Sequence, residues 1–208
     1  MYGTLRAADG WQEEYSCTLV QELGFRQGLT SPCLFWHPER GLVCAVHGDD
    51  FTTRGSKRQL DWLEAKLKEK YELKTGGRLG PAPEDDKEAT VLNRVIRWCQ
   101  DGIEYEADPR QGERLLYELH LTDSKSVATP GLKPTHEQLE AEKPFEADHH
   151  TLFRASAARG NYLAADRPDL LYSAKEICRS MAGPTDLGLQ ALKRMGRFLS
   201  GKPRLVYH

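Results

Sequence analysis

The sequence predicts an α+β chain in which an antiparallel sheet with packed helices is followed by a purely helical stretch. Three observations carry this reading. Short apolar runs bracketing turn residues come in pairs in the first half. Apolar stripes at helical spacing stand before, between and after those pairs. Beyond about residue 150 only helical periodicity remains.

In residues 6–23, Trp11, Tyr15, Leu19 and Leu23 recur every four positions and stripe one face of a helix, which Gly24 ends. Two strands then flank Pro38-Glu39-Arg40-Gly41, a hairpin turn, and a third strand over 51–53 follows the Gly48-Asp49 tip. Ser56 with Gln59 predicts a capping box, and Leu60, Leu63 and Leu67 form the buried face of a helix running to about residue 71. Residues 76–89, with three glycines, two prolines and an acidic cluster, form a loop and a weak boundary. Strands over 91–99 and 103–106 flank Asp101-Gly102, where glycine supplies the positive φ of a tight turn. Asp108-Pro109 opens a helix that turns Leu115, Leu116 and Leu119 inward. Three prolines and many acids make 129–148 a linker, and helices follow over 151–164, 168–181 and 184–199. The expected domains are 1–129, a linker over 130–150, and a helical domain over 151–208. No internal repeat is present.

Composition narrows the classes. With 29 basic against 31 acidic residues the chain lacks the overall positive charge of a free-standing nucleic-acid binder, so any such binding rests on local patches. Five cysteines, odd in number and without a CxxC pair, suggest neither a disulfide framework nor a zinc site, and fit a reducing, intracellular setting rather than secretion. No apolar run reaches the ~20 residues that cross a bilayer, and no signal segment opens the chain, so no membrane partner is expected.

The run Leu42-Val43-Cys44-Ala45-Val46-His47-Gly48-Asp49-Asp50-Phe51 places adjacent carboxylates at the tip of an apolar hairpin. Such a tip is also ordinary turn chemistry. However, the flanking strands are apolar enough to be central, and neighbouring like charges repel unless a cation offsets them. Two-metal sites use carboxylates to bridge cations that stabilise both oxygens of an in-line displacement. A third carboxylate normally comes from another strand, and no apolar strand ending in Asp precedes this hairpin.

A second constellation runs from Gly3 through Arg6 to Trp11: Gly3 permits close backbone approach to a base or sugar, and Arg6 offers its donor fork to a phosphate. The bland alternative is a helix start with a core Trp11. A third is the basic final helix, where Lys193, Arg194 and Arg197, followed by Lys202 and Arg204, can track a phosphate backbone or form a solvated face. His149-His150, beside Asp148, lacks the i,i+4 spacing of a zinc-binding helix.

The stretch from Tyr2-Gly3 to Trp11, then Leu23-Gly24-Phe25, Ser31-Pro32-Cys33-Leu34-Phe35 and the Asp49-Asp50 hairpin, resembles the palm of the reverse transcriptase of copia-type LTR retrotransposons. Val127-Ala128-Thr129-Pro130, Asn161-Tyr162-Leu163, Arg167-Pro168-Asp169, Met181-Ala182-Gly183-Pro184-Thr185 and Ala191-Leu192-Lys193-Arg194 resemble the family's later segments in the same order. The resemblance implies an RNA-directed DNA polymerase that binds an RNA or DNA primer-template and a dNTP and uses Mg²⁺ or Mn²⁺. Asp49 and Asp50 would be two of three metal-binding acids. Gly3, Arg6 and Trp11 would border nucleotide and template. Residues 91–106 would form the primer-gripping hairpin, and the last helices a thumb or connection.

Three positions depart from the family: His47-Gly48 replaces Tyr and a β-branched residue before the acids, and Arg6 replaces a usual Gln. The expectation is a partial palm and thumb from a Pol polyprotein. Fingers and the first catalytic Asp would lie upstream of Met1 and RNase H downstream of His208, leaving little polymerase activity in this piece. Its setting would be cytoplasmic virus-like particles or the nucleus. The alternatives are a non-catalytic nucleic-acid-binding or assembly remnant of a decayed retroelement, or an interaction domain without a ligand.

Overall fold

In the computed structural model, which describes residues 6–144 and 149–208, the chain divides into two units, Met1–Gly76 and Gly77–His208. Helices and two four-stranded antiparallel sheets make the α+β architecture that the apolar patterning predicts.

In the first unit, α1 (Ala7–Cys17) runs on into a π-helical turn over Thr18–Glu22, and Gly24 at φ 76° ends it. The chain then forms β1 (Arg26–Gln27), β2 (Leu34–His37), β3 (Leu42–His47) and β4 (Asp50–Arg54), paired in that order. Alternation sorts the side chains of β2 and β3. Phe35, His37, Leu42, Cys44 and Val46 are buried, while Leu34 and Trp36 face outward, each 41% exposed. The buried set shares one core with Tyr15, Leu19 and Phe25 and with Leu63 and Leu67 of α2 (Lys57–Lys68). Helices thus cover one face of the sheet.

The capping box predicted at Ser56 does not form. Ser56 stands at the N-cap, but its side chain makes no capping bond. Its carbonyl instead accepts the amides of Gln59 and Leu60 at 2.9 Å each. Arg40 Nη1 donates to Gln59 Oε1 at 2.9 Å, so the side chain that would reach back to the cap is engaged elsewhere.

The second unit holds β5 (Glu88–Val91), β6 (Arg94–Cys99), β7 (Gly102–Glu106), α3 (Pro109–Glu118), α4 (His136–Glu140), α5 (His150–Ala164), α6 (Pro168–Arg179), α7 (Asp186–Gly201) and β8 (Val206–Tyr207). The long strand expected over 91–99 is split by a two-residue turn at Leu92 and Asn93, with φ of 49° and 67°. Leucine in a left-handed position carries no turn signal, which is why the sequence conceals it. At the next hairpin Gly102 opens β7 opposite Cys99, and Gln100 and Asp101 make the turn.

Two further expectations change. The segment read as a linker contains α4, opened by a capping box between Thr135 and Gln138, and it is bound to its neighbours. Ser173 Oγ donates to the Pro130 carbonyl at 2.9 Å, and Lys143 and Asp186 exchange bonds at 3.0 Å. The end of the chain is not wholly helical either, because β8 pairs with β7 through Tyr105–Tyr207 and Glu106–Val206. Packing therefore groups the 88–106 strands with the terminal helices. The division falls at the 76–89 loop flagged as a weak boundary, whereas the sequence reading divided the chain after residue 129.

Leu115, Phe153, Leu170, Ile177, Leu192 and Met195 form the centre of the second core. Gly160 leaves room for the end of the Met195 side chain, since a Cβ there would lie 2.4 Å from Met195 Cε. Glu106, 3% exposed, fastens the tail. It accepts from Arg204 at 2.5 and 2.7 Å and from Arg97 at 2.6 Å. The Arg204 hydrogen bonds, with help from Arg97, hold the Glu106 carboxyl below its ordinary value against the opposing effect of burial.

A group whose folded value is lowered stabilises fully above its ordinary value and loses that contribution as pH falls through the lowered one. Acid titration followed by amide exchange should release β8 before the helical core, and Glu106→Ala should cost about 2 kcal/mol in denaturant unfolding at neutral pH. Leu92→Asn, which suits the left-handed backbone, should stabilise by about 1 kcal/mol in the same measurement.

Candidate metal and nucleic-acid site

The β3–β4 hairpin closes through a His47–Asp50 pair, leaving Gly48 and Asp49 as a two-residue loop. Gly48 adopts φ 61° at the first loop position, the backbone that lets so short a turn join two twisted strands. The departure from the family pattern at this position is thus what the turn geometry uses. Asp49 stands at the apex and Asp50 begins β4, and both are exposed. Neither carboxylate has a hydrogen-bond or ion-pair partner among the described residues.

The turn is held from behind. Trp11 Nε1, projecting from α1, donates to the Gly48 carbonyl at 2.6 Å. The indole packs edge-on against Tyr15, Phe51 and Tyr71, with centroids 5.7, 6.3 and 5.3 Å away. Tyr71 is itself placed by its hydroxyl, 2.9 Å from Thr18 Oγ1. An aromatic cluster therefore fixes the backbone immediately before the paired acids, through aromatic edge contacts and one directed hydrogen bond.

Of the residues singled out in the sequence, the structure brings Trp11 to Asp49 and Asp50. Arg6 is exposed just before α1, its carbonyl accepting the Gly10 amide at 3.0 Å. Gly3 lies outside the described residues. Among the described residues no set of three or more His, Cys, Asp or Glu side chains is grouped to hold a metal ion. Cys44, on β3, is buried, and burial pushes its thiol pKa up, so it remains a packing residue rather than a thiolate ligand. Two hard oxygen donors, Asp49 and Asp50, are what this hairpin offers a cation.

Lys193, Arg194 and Arg197 lie in the second unit, on α7. Lys193 is exposed, while Arg194 and Arg197 are half-buried. Arg194 Nη2 donates to Thr129 Oγ1 at 2.9 Å, and the Arg197 carbonyl accepts the Val127 amide at 3.4 Å. Sequence reasoning found the cations but missed Thr129 and the segment laid beside them, which carries no periodic signal. The supporting Tyr15 was visible as the i+4 neighbour of Trp11, whereas Tyr71 was placed only by folding. Among the described residues no helix is long and apolar enough to cross a membrane.

The chain is similar over 208 aligned residues, at 35% identity, to a retrovirus-related Pol polyprotein from transposon RE2 of Arabidopsis thaliana, covering 98% of this chain and 13% of that protein. A second such polyprotein, from transposon RE1 of the same plant, is 34% identical over 89 residues, 43% of this chain and 6% of that one. The chain thus spans a small fraction of the length of the curated relatives it matches. No protein-family profile and no solved structure matches it.

Replacing Trp11 by Phe keeps the ring packing and removes the bond to Gly48. Thermal unfolding should show a loss of about 1 kcal/mol, with faster amide exchange at Gly48 and Asp49.

Proposed function

We propose that this chain, a relative of retrotransposon Pol polyproteins, is a segment of a copia-type RNA-directed DNA polymerase, contributing part of the palm and the thumb. The observation that carries the reading is the Asp49–Asp50 tip, without partners among the described residues and fixed from behind by Trp11, in a chain related to Pol polyproteins along nearly its whole length. Paired carboxylates without protein partners keep their oxygens free for a divalent cation, and oxygen donors suit Mg²⁺ or Mn²⁺. When bound, such cations neutralise charge at the attacking and leaving oxygens of phosphoryl transfer.

The chain's own part is positional. The hairpin presents both acids at the end of a sheet whose other face is held by helices, so a primer 3′ end and a dNTP α-phosphate would meet at a rigid rim. Two carboxylates are an incomplete set. β4 is the outermost strand of its sheet and pairs only with β3 among the described residues. A strand from another part of the polyprotein, added along the free side of β4, would set a third carboxylate beside Asp50.

Primer extension tests the reading. The chain alone should incorporate little nucleotide, whereas the chain joined to its preceding polyprotein segment should extend a primer on an RNA template only with Mg²⁺ or Mn²⁺. Asp49→Asn in the joined protein should reduce the rate at least about a hundredfold. An unaffected rate removes Asp49 from the site.

A further inference from the structure

The sheet of the second unit is patterned to cover a core, yet it covers none. Its inner strand β6 is paired on both sides, and the register sets Ile96 opposite Ala89 and Tyr105, Trp98 opposite Ile103, and Tyr105 opposite Tyr207. Residues directly opposite share a face, so Val91, Ile96, Trp98, Ile103, Tyr105 and Tyr207 make one apolar surface. The rings of Tyr105 and Tyr207 lie 6.1 Å apart on it. The reverse face is polar and closed on itself, with Arg97 bound to Glu88 and Glu106 at 2.6 Å each.

The apolar face of an antiparallel sheet is ordinarily buried under a second layer. In the first unit Phe35 and Cys44 meet Leu63 in this way. Here, among the described residues, the hydrophobic core of the second unit contains no side chain from β5–β8. Every residue of β6 is half-buried and none is buried, while Ile103 and Tyr207 are 51% and 38% exposed. Asp166, just after α5, ties down one corner of the face by accepting from Tyr105 at 2.5 Å and Arg94 at 3.0 Å. The sheet is thus fixed in place with most of its apolar side in partial contact with solvent.

The extent of the face decides what can cover it. Four strands, the longer ones five or six residues, span roughly 15 Å by 17 Å, about 250 Å². Stable association of separate chains takes about 800 Å² from each partner. A second copy of this chain would be held too weakly by so small a patch, whereas a segment tethered in the same polypeptide escapes most of the entropic cost of association. The matched stretch is 13% of the transposon RE2 polyprotein, so its relative carries ample further chain. We infer that this face of β5–β8 seats an amphipathic segment of the same polyprotein lying outside this chain, whose apolar side packs on Trp98, Ile103 and Tyr207. The contact is distinct from strand addition at β4 and needs neither metal nor nucleic acid.

Hydroxyl-radical footprinting read by mass spectrometry tests this, comparing the full chain with a polyprotein fragment in which it keeps its neighbouring segments. Trp98, Ile103 and Tyr207 should oxidise readily in the chain alone and at least about fivefold more slowly in the longer fragment. Ile103→Lys, at a position half open to solvent, should leave the melting temperature of the chain within about 2 °C and abolish the protection of Trp98 and Tyr207 in the fragment. Ile103→Thr, which keeps the branched shape suited to a strand, should reduce that protection and serves the comparison if the lysine variant does not fold. Equal oxidation in chain and fragment overturns the inference. So does a chain that sediments as a dimer and becomes monomeric on Ile103→Lys, since a second copy would then be the cover. Failure of primer extension with the protection intact refutes the polymerase reading alone.

Discussion

The hydrogen bond from Trp11 to the Gly48 carbonyl is the contact on which the geometry of the first unit's β3–β4 hairpin tip turns. A two-residue loop with glycine at its first position is tight but intrinsically soft, because glycine has the widest choice of backbone conformations. Here that freedom is removed from behind by an indole that Tyr15, Phe51 and Tyr71 hold edge-on. The acids at the tip are therefore exposed and without partners among the described residues yet set on a rigid backbone, the condition a cation site needs if its ligands are not to reorganise on binding.

The second unit solves a different problem. Its sheet receives a last strand from the far end of the chain, and two residues of pairing are too little to hold a tail. Glu106 provides the remainder by gathering Arg97 and Arg204, while buried Arg167 grips Asp169 and the carbonyls of Lys202 and Pro203. Among the described residues Arg154 and Arg194 bind no carboxylate and donate instead to the Met181 and Ala182 carbonyls and to Thr129 Oγ1.

Much of this was legible along the chain. The four-residue spacing of Trp11, Tyr15, Leu19 and Leu23, the alternation through Phe35 and Cys44, and the Pro-opened helices at Pro109 and Pro168 each express local periodicity or local backbone restriction. The hidden elements have two causes. The Leu92–Asn93 turn has a left-handed leucine, the Ser56 capping box is pre-empted by an Arg40–Gln59 bond across nineteen residues, and β8 exists only because β7 is there to receive it. The lost capping box and β8 depend on partners remote in sequence, whereas the turn is local and hidden by a residue that carries no turn signal.

The candidate sites divide along the same line. By itself the sequence determined that two aspartates sit at a hairpin apex and that three cations share a helix, because turn chemistry and helical spacing are short-range properties. Tertiary structure alone decided that Trp11 serves the turn and that Thr129 and Val127 lie against Arg194 and Arg197. Directed hydrogen bonds and charge pairing act over a few ångströms in space, and only folding converts separations of tens of residues into such distances.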